Sequence, residues 1–206
     1  MNKKIRVRLD LDEVLNNFAD YWLDIHYERT GEELKPTTFD MDNVSKYGEA
    51  VYDYFYEPSF FYDIPVKAGA TKLLNFLDQN SQYIDYIIVS SVGFTDDKKV
   101  REYVREQKHA WLLANFESHV ADKLITSGKS KKGYPADIII DDLDKHIIEA
   151  PKKALKILFQ AEHNKKVDIS QFDERTLVGI KDLKEVEEII RGVIFEGSID
   201  NYLESR

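Results

Sequence analysis

Hydrophobic and polar positions near the start of the chain follow two different periods. Ile5, Val7 and Leu9 alternate with charged residues, and this period of two predicts a strand. From residue 14 to residue 29 the apolar positions recur at helical spacing, and Gly31 is a typical residue for ending a helix. A strand buried on both faces is almost continuously apolar, so the two arginines inside this first strand count against a fully covered central position in a sheet.

Five further apolar stretches predict strands, and several of the segments between them have helical patterns. The stretch Tyr86–Val89 is short and apolar and runs into Ser90 and Ser91, which is typical of a buried parallel strand. The other strand candidates are 124–126, 138–140, 154–159 and 176–178, and the helix candidates are 70–77, 96–116 and 181–191. Strands that alternate with helices predict an α/β fold with a doubly wound, mostly parallel, Rossmann-like sheet.

The segment from about residue 37 to Pro65 is rich in aromatic residues and poor in aliphatic ones. One interpretation is a small helical subdomain with an aromatic core. The other is that some of these rings face a flat ligand such as a nucleobase. The two interpretations are compatible, because one aromatic cluster can serve both purposes.

Length, charge and composition narrow the class of protein. With 206 residues, 43% of them hydrophobic, the chain can form one folded domain with room for an insertion. The net charge of −9 argues against a general duplex-DNA-binding protein, because such proteins need clustered basic residues. The chain has no cysteine, which excludes disulfides, zinc–thiolate sites and iron–sulfur clusters.

The sequence shows no pattern of a targeting segment or of a membrane span. Its first ten residues carry several charges and lack the apolar stretch of a signal peptide. Eighteen apolar residues never run together, as a membrane-spanning helix would require. We therefore expect a cytoplasmic protein without a membrane partner, and the sequence leaves a homodimer open.

Residues suited to phosphate chemistry follow the first four predicted strands. Because ligands of parallel α/β sheets bind beyond the carboxyl ends of the strands, we expect these side chains to converge on one crevice. In chain order they are Asp10 and Asp12, Ser90 and Ser91, Lys129, and Asp141 and Asp142.

This set of side chains fits the transfer of a phosphoryl group. Carboxylate and carbonyl oxygens are the ligands of Mg²⁺ ions that also bind a substrate phosphate. One carboxylate can attack phosphorus and form an aspartyl-phosphate, and a second carboxylate two residues further along points the same way and can act as acid and base. A hydroxyl and an ammonium can hold the phosphoryl oxygens as their charge develops.

The order of these motifs resembles that of the haloacid dehalogenase (HAD) superfamily of phosphohydrolases. Within it the chain is most similar to the 5′(3′)-deoxyribonucleotidases, the cytosolic type C 5′-nucleotidase family. The likeness is carried by the stretches 10–18, 57–61, 65–70, 88–91, 108–111, 124–129 and 136–142. It implies a Mg²⁺-dependent phosphatase of (deoxy)nucleoside monophosphates, with an α/β core of residues 1–15 and 66–206 and a small helical cap inserted at 16–65.

The resemblance implies a role for each acidic residue. Asp10 is expected to be the nucleophile, and Asp12 the acid and base. Mg²⁺ is expected to lie between the Asp10 carboxylate, the backbone carbonyl of Asp12 and Asp142. Asp141 either contacts the metal ligands without touching the metal or shares the metal with Asp142. We favour Asp142 as the direct ligand.

The resemblance also implies residues that hold the substrate. Ser90 and Lys129 are expected to bind the phosphate with Ser91 beside them. Lys131 and Lys132 follow closely and are rivals for the role of the lysine, and we choose Lys129 because it directly follows the matching stretch. Phe18 matches an aromatic position at the substrate pocket of the nucleotidases. The partner is then a small phosphate monoester, with a nucleotide as the first choice.

Some features depart from the family pattern or leave alternatives open. Glu13 stands where the family commonly has glycine, and its carboxylate lies either at the phosphate entrance or at the start of the next helix, where we favour it. The five histidines are scattered without metal-ligand spacing and receive no role. The alternative functions are a HAD phosphatase of a sugar phosphate or of a phosphorylated nucleic-acid end, and a HAD-fold protein that binds without turnover.

Overall fold

A six-stranded sheet forms the centre of the computed structural model, which describes residues 3–33, 54–93 and 95–206. The strands lie in the order β3-β2-β1-β4-β5-β6, and every neighbouring pair is parallel. They are β1 (Ile5–Leu9), β2 (Ile84–Ser91), β3 (Leu124–Ser127), β4 (Ile138–Asp141), β5 (Leu155–Phe159) and β6 (Thr176–Ile180). The predicted parallel α/β fold is confirmed.

Helices connect the strands and close the chain. Those in the described ranges are α1 (Phe18–Thr30), α2 (Ala70–Gln79), α3 (Lys98–Asn115), α4 (Ser118–Ala121), α5 (Asp144–Ile148), α6 (Leu183–Glu196) and α7 (Ile199–Glu204). Gly31 ends α1 in the left-handed conformation at φ 72°, as the sequence predicts. None of the helices in these ranges is long and apolar enough to cross a lipid bilayer.

The sheet is covered on both faces, as a doubly wound fold requires. Successive side chains of a strand point to opposite faces, and those of β4 join different hydrophobic clusters. Ile138 and Ile140 belong to the main core, which includes residues of α2 and α6. Ile139, on the other face, packs in a separate cluster with Ile147 of α5.

Strand β1 lies at the centre of the sheet, between β2 and β4, so the expectation drawn from its arginines is wrong. Arg8 is 2% exposed, and its guanidinium donates to the backbone carbonyls of Lys131 at 3.0 Å and Tyr134 at 3.1 Å. It also lies 4.0 Å from the carboxylate of Asp141. These oxygens compensate for part of its lost hydration, whereas Nε and Nη2 have no hydrogen-bond partner among the described residues.

The predicted cap insertion, 16–65, is described in part, and its boundaries stay a prediction. Residues 34–53 lie outside the described residues. The two ends of the insertion run side by side, because the amide of Lys67 donates to the Leu15 carbonyl at 2.9 Å and that of Asn17 to the Pro65 carbonyl at 3.0 Å. The chain therefore leaves the core and returns to it at one place.

The described part of this segment contributes to a second, aromatic core. Its buried members are Phe18, Trp22, Tyr54, Phe55, Phe60, Phe61, Ile64, Val92 and Val104. Helix α3 joins this core to the main core. Gln107 accepts a hydrogen bond from the amide of Phe61 at 3.1 Å, and Trp111, a member of the main core, donates to the carbonyl of Ile64 at 2.6 Å. The first interpretation of the aromatic segment, a subdomain with an aromatic core, agrees with this packing.

Candidate active site

Three neighbouring strands end at one edge of the sheet and bring several predicted site residues together. Asp10 directly follows β1, and its backbone amide donates to the carbonyl of Ile140 in β4 at 2.9 Å. Asp141 is the last residue of β4, and Ser90 lies near the end of β2. Because β2, β1 and β4 are adjacent and parallel, these residues share one edge of the sheet.

A buried lysine joins the ends of β1 and β4. The Nζ atom of Lys131 lies 2.5 Å from an oxygen of Asp10 and 2.9 Å from an oxygen of Asp141. The lysine side chain is 1% exposed. A buried ammonium needs opposite charges to compensate for its lost hydration, and two carboxylates supply them here.

Burial and neighbouring charges shift the pKa values of this cluster in different directions. Burial raises the pKa of Asp10 well above its usual value; Lys131 opposes this shift, and the nearby carboxylates add to it. Burial alone would also raise the pKa of Asp141, but Lys131 and His146 outweigh it and the pKa is lowered. Asp141 is therefore firmly ionised, whereas the ionised form of Asp10 is disfavoured by its surroundings.

Both carboxylate oxygens of Asp141 are occupied by protein groups. Its Oδ1 accepts a hydrogen bond from the amide of Leu143 at 3.2 Å and faces Nδ1 of His146 at 3.0 Å. Its Oδ2 accepts from Lys131 at 2.9 Å and lies 4.0 Å from Arg8. Little of either oxygen is left for a further ligand.

Asp12 lies in a second polar cluster that links the end of β1 to β2 and α3. Lys108 of α3 donates to a carboxylate oxygen of Asp12 and, at 2.8 Å, to the hydroxyl of Ser90. That hydroxyl donates to the same oxygen of Asp12 at 3.2 Å, and Asn16 donates to the other oxygen at 3.1 Å. The Asp12 side chain remains 22% exposed, so a firmly oriented carboxylate is still accessible from outside.

The two serines at the end of β2 point in different directions. Neighbouring side chains of a strand face opposite sides, and only Ser90 faces Asp12. The hydroxyl of Ser91 donates to the carbonyl of Gly128 at 2.9 Å and so holds the loop after β3.

The lysines that follow β3 also lie in different places. The side chain of Lys129, the lysine predicted to hold phosphate, is exposed. The lysine that contacts Asp10 is Lys131, one of its two rivals in the sequence analysis.

Gly93 allows the loop after β2 to touch the loop after β3. A Cβ atom at this position would lie 2.5 Å from the backbone nitrogen of Lys129 and 2.6 Å from the carbonyl carbon of Gly128. Both neighbours are backbone atoms, which cannot move aside as the end of a flexible side chain can. A side chain at position 93 would therefore push the two loops apart.

We expect Gly93→Ala to lower the free energy of unfolding by about 1–3 kcal/mol, the usual range for overpacking a tight contact. Urea denaturation measures the effect. Gly133→Ala is the matched control, because a Cβ at position 133 would meet nothing within 4 Å. Equal denaturation midpoints for the two variants would contradict the close approach.

The loop after β5 holds Asp142. The Nε2 atom of His163 lies 3.1 Å from Oδ2 of Asp142, and the side-chain amide of Asn164 donates to the backbone carbonyl of Asp142 at 2.7 Å. Burial alone would lower the pKa of His163, but the hydrogen bond to Asp142 and the charge of its carboxylate outweigh it, and the pKa is raised. No hydrogen bond or ion pair from another described residue reaches the second carboxylate oxygen, Oδ1.

The acidic residues at this edge form a donor set that fits a divalent cation. Asp10, Asp141 and His146 bring potential ligand atoms within 4.8 Å of one another. Asp141 and His146 already bind each other, whereas Oδ1 of Asp142 remains available to a ligand. Burial is the largest cause of the raised pKa of Asp10, and the negative charges of Asp141 and Asp142 add to it. A bound cation would reduce the repulsion between these carboxylates. Hard carboxylate oxygens of this kind are the ligands that Mg²⁺ takes.

Phe18, the residue predicted at the substrate pocket, is a buried member of the aromatic core. Its ring stacks on that of Phe61, with the centroids 6.0 Å apart and an angle of 15° between the planes. The ammonium of Lys108 lies 4.8 Å from the centroid of Phe61 and also contacts Asp12. The aromatic core is thus connected to Asp12 through Phe61 and Lys108.

Glu13 caps the helix that follows it, which agrees with the favoured interpretation of this residue. Its φ of 62° is left-handed, a conformation that suits the glycine common in the family and costs other residues roughly 1–2 kcal/mol. One carboxylate oxygen accepts from the amide of Ala19 in the first turn of α1 at 2.6 Å, and the other lies 3.7 Å from Lys67. The cap and the ion pair offset the backbone strain.

Several residues of the site received no role from the sequence pattern, among them Lys108, His146 and His163. Lys108 belongs to a stretch that carries the family resemblance, and that match was its only signal. His146 and His163 lie in separate elements, so their spacing shows no metal-ligand pattern. Contact with Asp141 and Asp142 in the folded chain identifies them.

Comparison with known proteins shows the family of this chain and a distant likeness to two solved structures. Residues 3–190 match the family described as 5′ nucleotidase, deoxy (pyrimidine), cytosolic type C protein (NT5C). No curated protein matches the chain at a significant level. Two solved structures, each 13% identical with a TM-score of 0.48, cover 91% of the chain. One is described as a haloacid dehalogenase-like hydrolase from Burkholderia xenovorans LB400, covered over 96% of its length, and the other is the HAD-hydrolase YfnB from Bacillus subtilis bound to magnesium, covered over 99%.

Proposed function

Since the chain belongs to the family of cytosolic type C deoxy (pyrimidine) 5′-nucleotidases, we propose that it hydrolyses (deoxy)nucleoside monophosphates with Mg²⁺ through an aspartyl-phosphate. The family match confirms the resemblance drawn from the sequence motifs and identifies the protein as a phosphatase. The observation that carries the proposal is the cluster at the sheet edge, in which Lys131 bridges Asp10 and Asp141.

Two carboxylates carry the proposed chemistry. The carboxylate of Asp10 attacks phosphorus, the phosphorus–oxygen ester bond breaks, and Asp12 gives its proton to the departing oxygen. Asp12 then takes a proton from water, whose oxygen attacks the same phosphorus and releases inorganic phosphate and free Asp10. The orientation of Asp12 by Asn16 and Ser90, and its partial exposure, support this double role.

Phosphate is held, in this proposal, by the hydroxyl of Ser90 and the ammonium of Lys131. We assign to Lys131 the role that the sequence suggested for Lys129, because its ammonium is buried and lies 2.5 Å from Asp10. An ammonium at that distance can neutralise charge on a phosphoryl group bound to the nucleophile. Ser91 acts indirectly through the loop that it holds.

Mg²⁺ would be held by the carboxylates of Asp10 and Asp142 and the backbone carbonyl of Asp12. The support for Asp142 over Asp141 is that both oxygens of Asp141 already bind protein groups. When bound, the ion supplies positive charge that reduces the repulsion between a carboxylate nucleophile and a phosphate.

The aromatic core supports a nucleotide as the substrate. Phe61 stacks on the buried ring of Phe18 and contacts Lys108, so in this proposal the base packs beside these rings while its phosphate reaches Asp10. The net charge of −9 agrees with a small anion drawn into a local basic pocket better than with a long polyanion.

We propose a cytoplasmic location on the basis of the cytosolic family type.

A hydrolysis screen tests this function. We expect the protein to release phosphate from nucleoside and deoxynucleoside monophosphates in Mg²⁺ and to lose this activity in EDTA. The kcat/KM for these substrates should be at least about tenfold above that for sugar phosphates or a 5′-phosphorylated oligonucleotide. A tenfold difference corresponds to about 1.4 kcal/mol of differential transition-state binding. A preference for sugar phosphates or for the oligonucleotide would keep the chemistry and overturn the substrate. No turnover of any ester across Mg²⁺ concentrations would favour a binding protein.

A further inference from the structure

The loop after β5 contributes two consecutive side chains to a single residue of the site. His163 and Asn164 lie in a short 3₁₀ turn, and both contact Asp142, which directly follows β4. Neither has a part in the proposed chemistry. Their contacts are with the residue proposed to bind Mg²⁺, which raises the question of what they do for it.

Asn164 fixes the backbone at the ends of two strands. Its side-chain nitrogen donates to the carbonyl of Asp142 at 2.7 Å and to that of Phe159, the last residue of β5, at 2.8 Å. Its side-chain oxygen accepts from the amide of Ala161 at 3.0 Å. The residue is 7% exposed, so these hydrogen bonds are shielded from water and hold the loop in one position against Asp142.

His163 fixes the carboxylate of the same residue. Its Nε2 lies 3.1 Å from Oδ2 of Asp142 and 3.3 Å from the Asp142 carbonyl. An ionised carboxylate and a carbonyl only accept hydrogen bonds, so Nε2 carries the proton and donates. The side chains of His163 and Asp142 are 9% and 8% exposed, which leaves the carboxylate little freedom to turn away.

We propose that His163 and Asn164 are positioning residues that orient Asp142 so that its Oδ1 is presented to the Mg²⁺ ion of the site. The inference rests on the proposed function, which makes Asp142 a metal ligand. It explains why the two neighbouring aspartates differ: Asp141 is bound by protein groups on both oxygens, whereas Asp142 is bound on one. Partners that orient a metal ligand commonly contribute ten- to a hundredfold to metal affinity.

Two substitutions of His163 separate its hydrogen bond from its bulk. In His163→Gln the side-chain nitrogen can reach the place of Nε2, whereas in His163→Asn it reaches only as far as Nδ1. We expect the dissociation constant for Mg²⁺ alone to rise at least about tenfold in His163→Asn and to stay within about threefold of the native value in His163→Gln. The measurements are calorimetric titration of the metal-stripped protein with MgCl₂ and the Mg²⁺-dependent rise in Tm without substrate.

Hydrolysis provides an independent measurement on the same variants. For His163→Asn, the Mg²⁺ concentration that gives half-maximal rate should rise by a similar factor, while kcat at saturating Mg²⁺ stays within about twofold, because the residue does not touch the substrate. His119→Asn is the matched control, since His119 is half-exposed and pairs with Asp78 away from the site. Far-UV circular dichroism of the metal-free proteins shows that each variant is folded.

The outcomes distinguish this inference from the function on which it rests. Native protein that binds no Mg²⁺ would overturn the proposed metal-dependent function and this inference with it. Native binding together with unchanged binding in His163→Asn would overturn the positioning role alone. Equal weakening in the Gln and Asn variants would also overturn it, because the loss would then not follow the hydrogen bond.

Discussion

Asp10→Asn is expected to reduce the hydrolysis of phosphate monoesters by at least about a thousandfold. The substitution keeps the shape of the side chain but replaces the attacking oxygen with an amide that is a poor nucleophile. Removing a covalent nucleophile commonly leaves only the residual acceleration that comes from binding and from charge stabilisation. The other residues of the cluster stay in place, so the loss should appear in kcat.

The same substitution should not weaken the fold. Folding raises the pKa of Asp10, so at neutral pH the folded chain disfavours its ionised form relative to the unfolded chain. A neutral amide avoids this cost, although it gives up the ion pair with Lys131. We therefore expect the Tm of the metal-free variant to equal or exceed that of the native protein.

Rates and Tm values of the native protein and the variant test both statements. Asp85→Asn is the control of identical chemistry, because Asp85 is exposed near the start of β2 and pairs only loosely with Lys123, at 3.9 Å. It should leave the rate unchanged. Near-native turnover in Asp10→Asn would assign the nucleophile elsewhere, and a large fall in Tm would show that the charge on Asp10 stabilises the fold.

The strands of the sheet could be predicted closely, because each one depends on the pattern of apolar and polar residues within its own short stretch of sequence. A short apolar stretch followed by polar residues, such as 138–140 before Asp141, is enough to place a buried parallel strand and the polar residue at its end. The central position of β1 could not be predicted in this way. The burial of Arg8 depends on carbonyls of Lys131 and Tyr134, which lie 123 and 126 residues further along the chain.

The acidic part of the site was predictable for a topological reason. Parallel neighbouring strands end at one edge, so Asp10 and Asp141 had to meet once β1 and β4 were paired. Loop residues follow no such rule. Lys129 and Lys131 lie in a segment without a periodic pattern, and only the path of the folded loop determines which side chain turns inward.

The same limit applies to the partners of Asp142. His163 comes from a short turn beyond β5, and nothing in its neighbourhood along the chain marks it as part of the site. Its contact with Asp142 depends on the pairing of β5 with β4, which brings the loop after one strand against the end of the other.

Lys131→Met is expected to lower the rate of hydrolysis by about a hundred- to a thousandfold, the range seen when a donor that stabilises developing charge is removed. It should also lower the free energy of unfolding by about 3–5 kcal/mol, since removing one partner of a buried ion pair leaves the other uncompensated. Both effects have the same cause: the ammonium is buried between Asp10 and Asp141, and methionine fills its space without its charge.

Lys129→Met makes this experiment a direct comparison of two neighbouring lysines. Lys129 is exposed, so its loss should change stability by less than about 0.5 kcal/mol and leave the rate nearly unchanged. Steady-state kinetics with a nucleoside monophosphate and urea denaturation measure the two quantities on both variants. A large loss of rate in Lys129→Met with little loss in Lys131→Met would assign phosphate binding to Lys129. Lys131 would then serve only to hold β1 and β4 together.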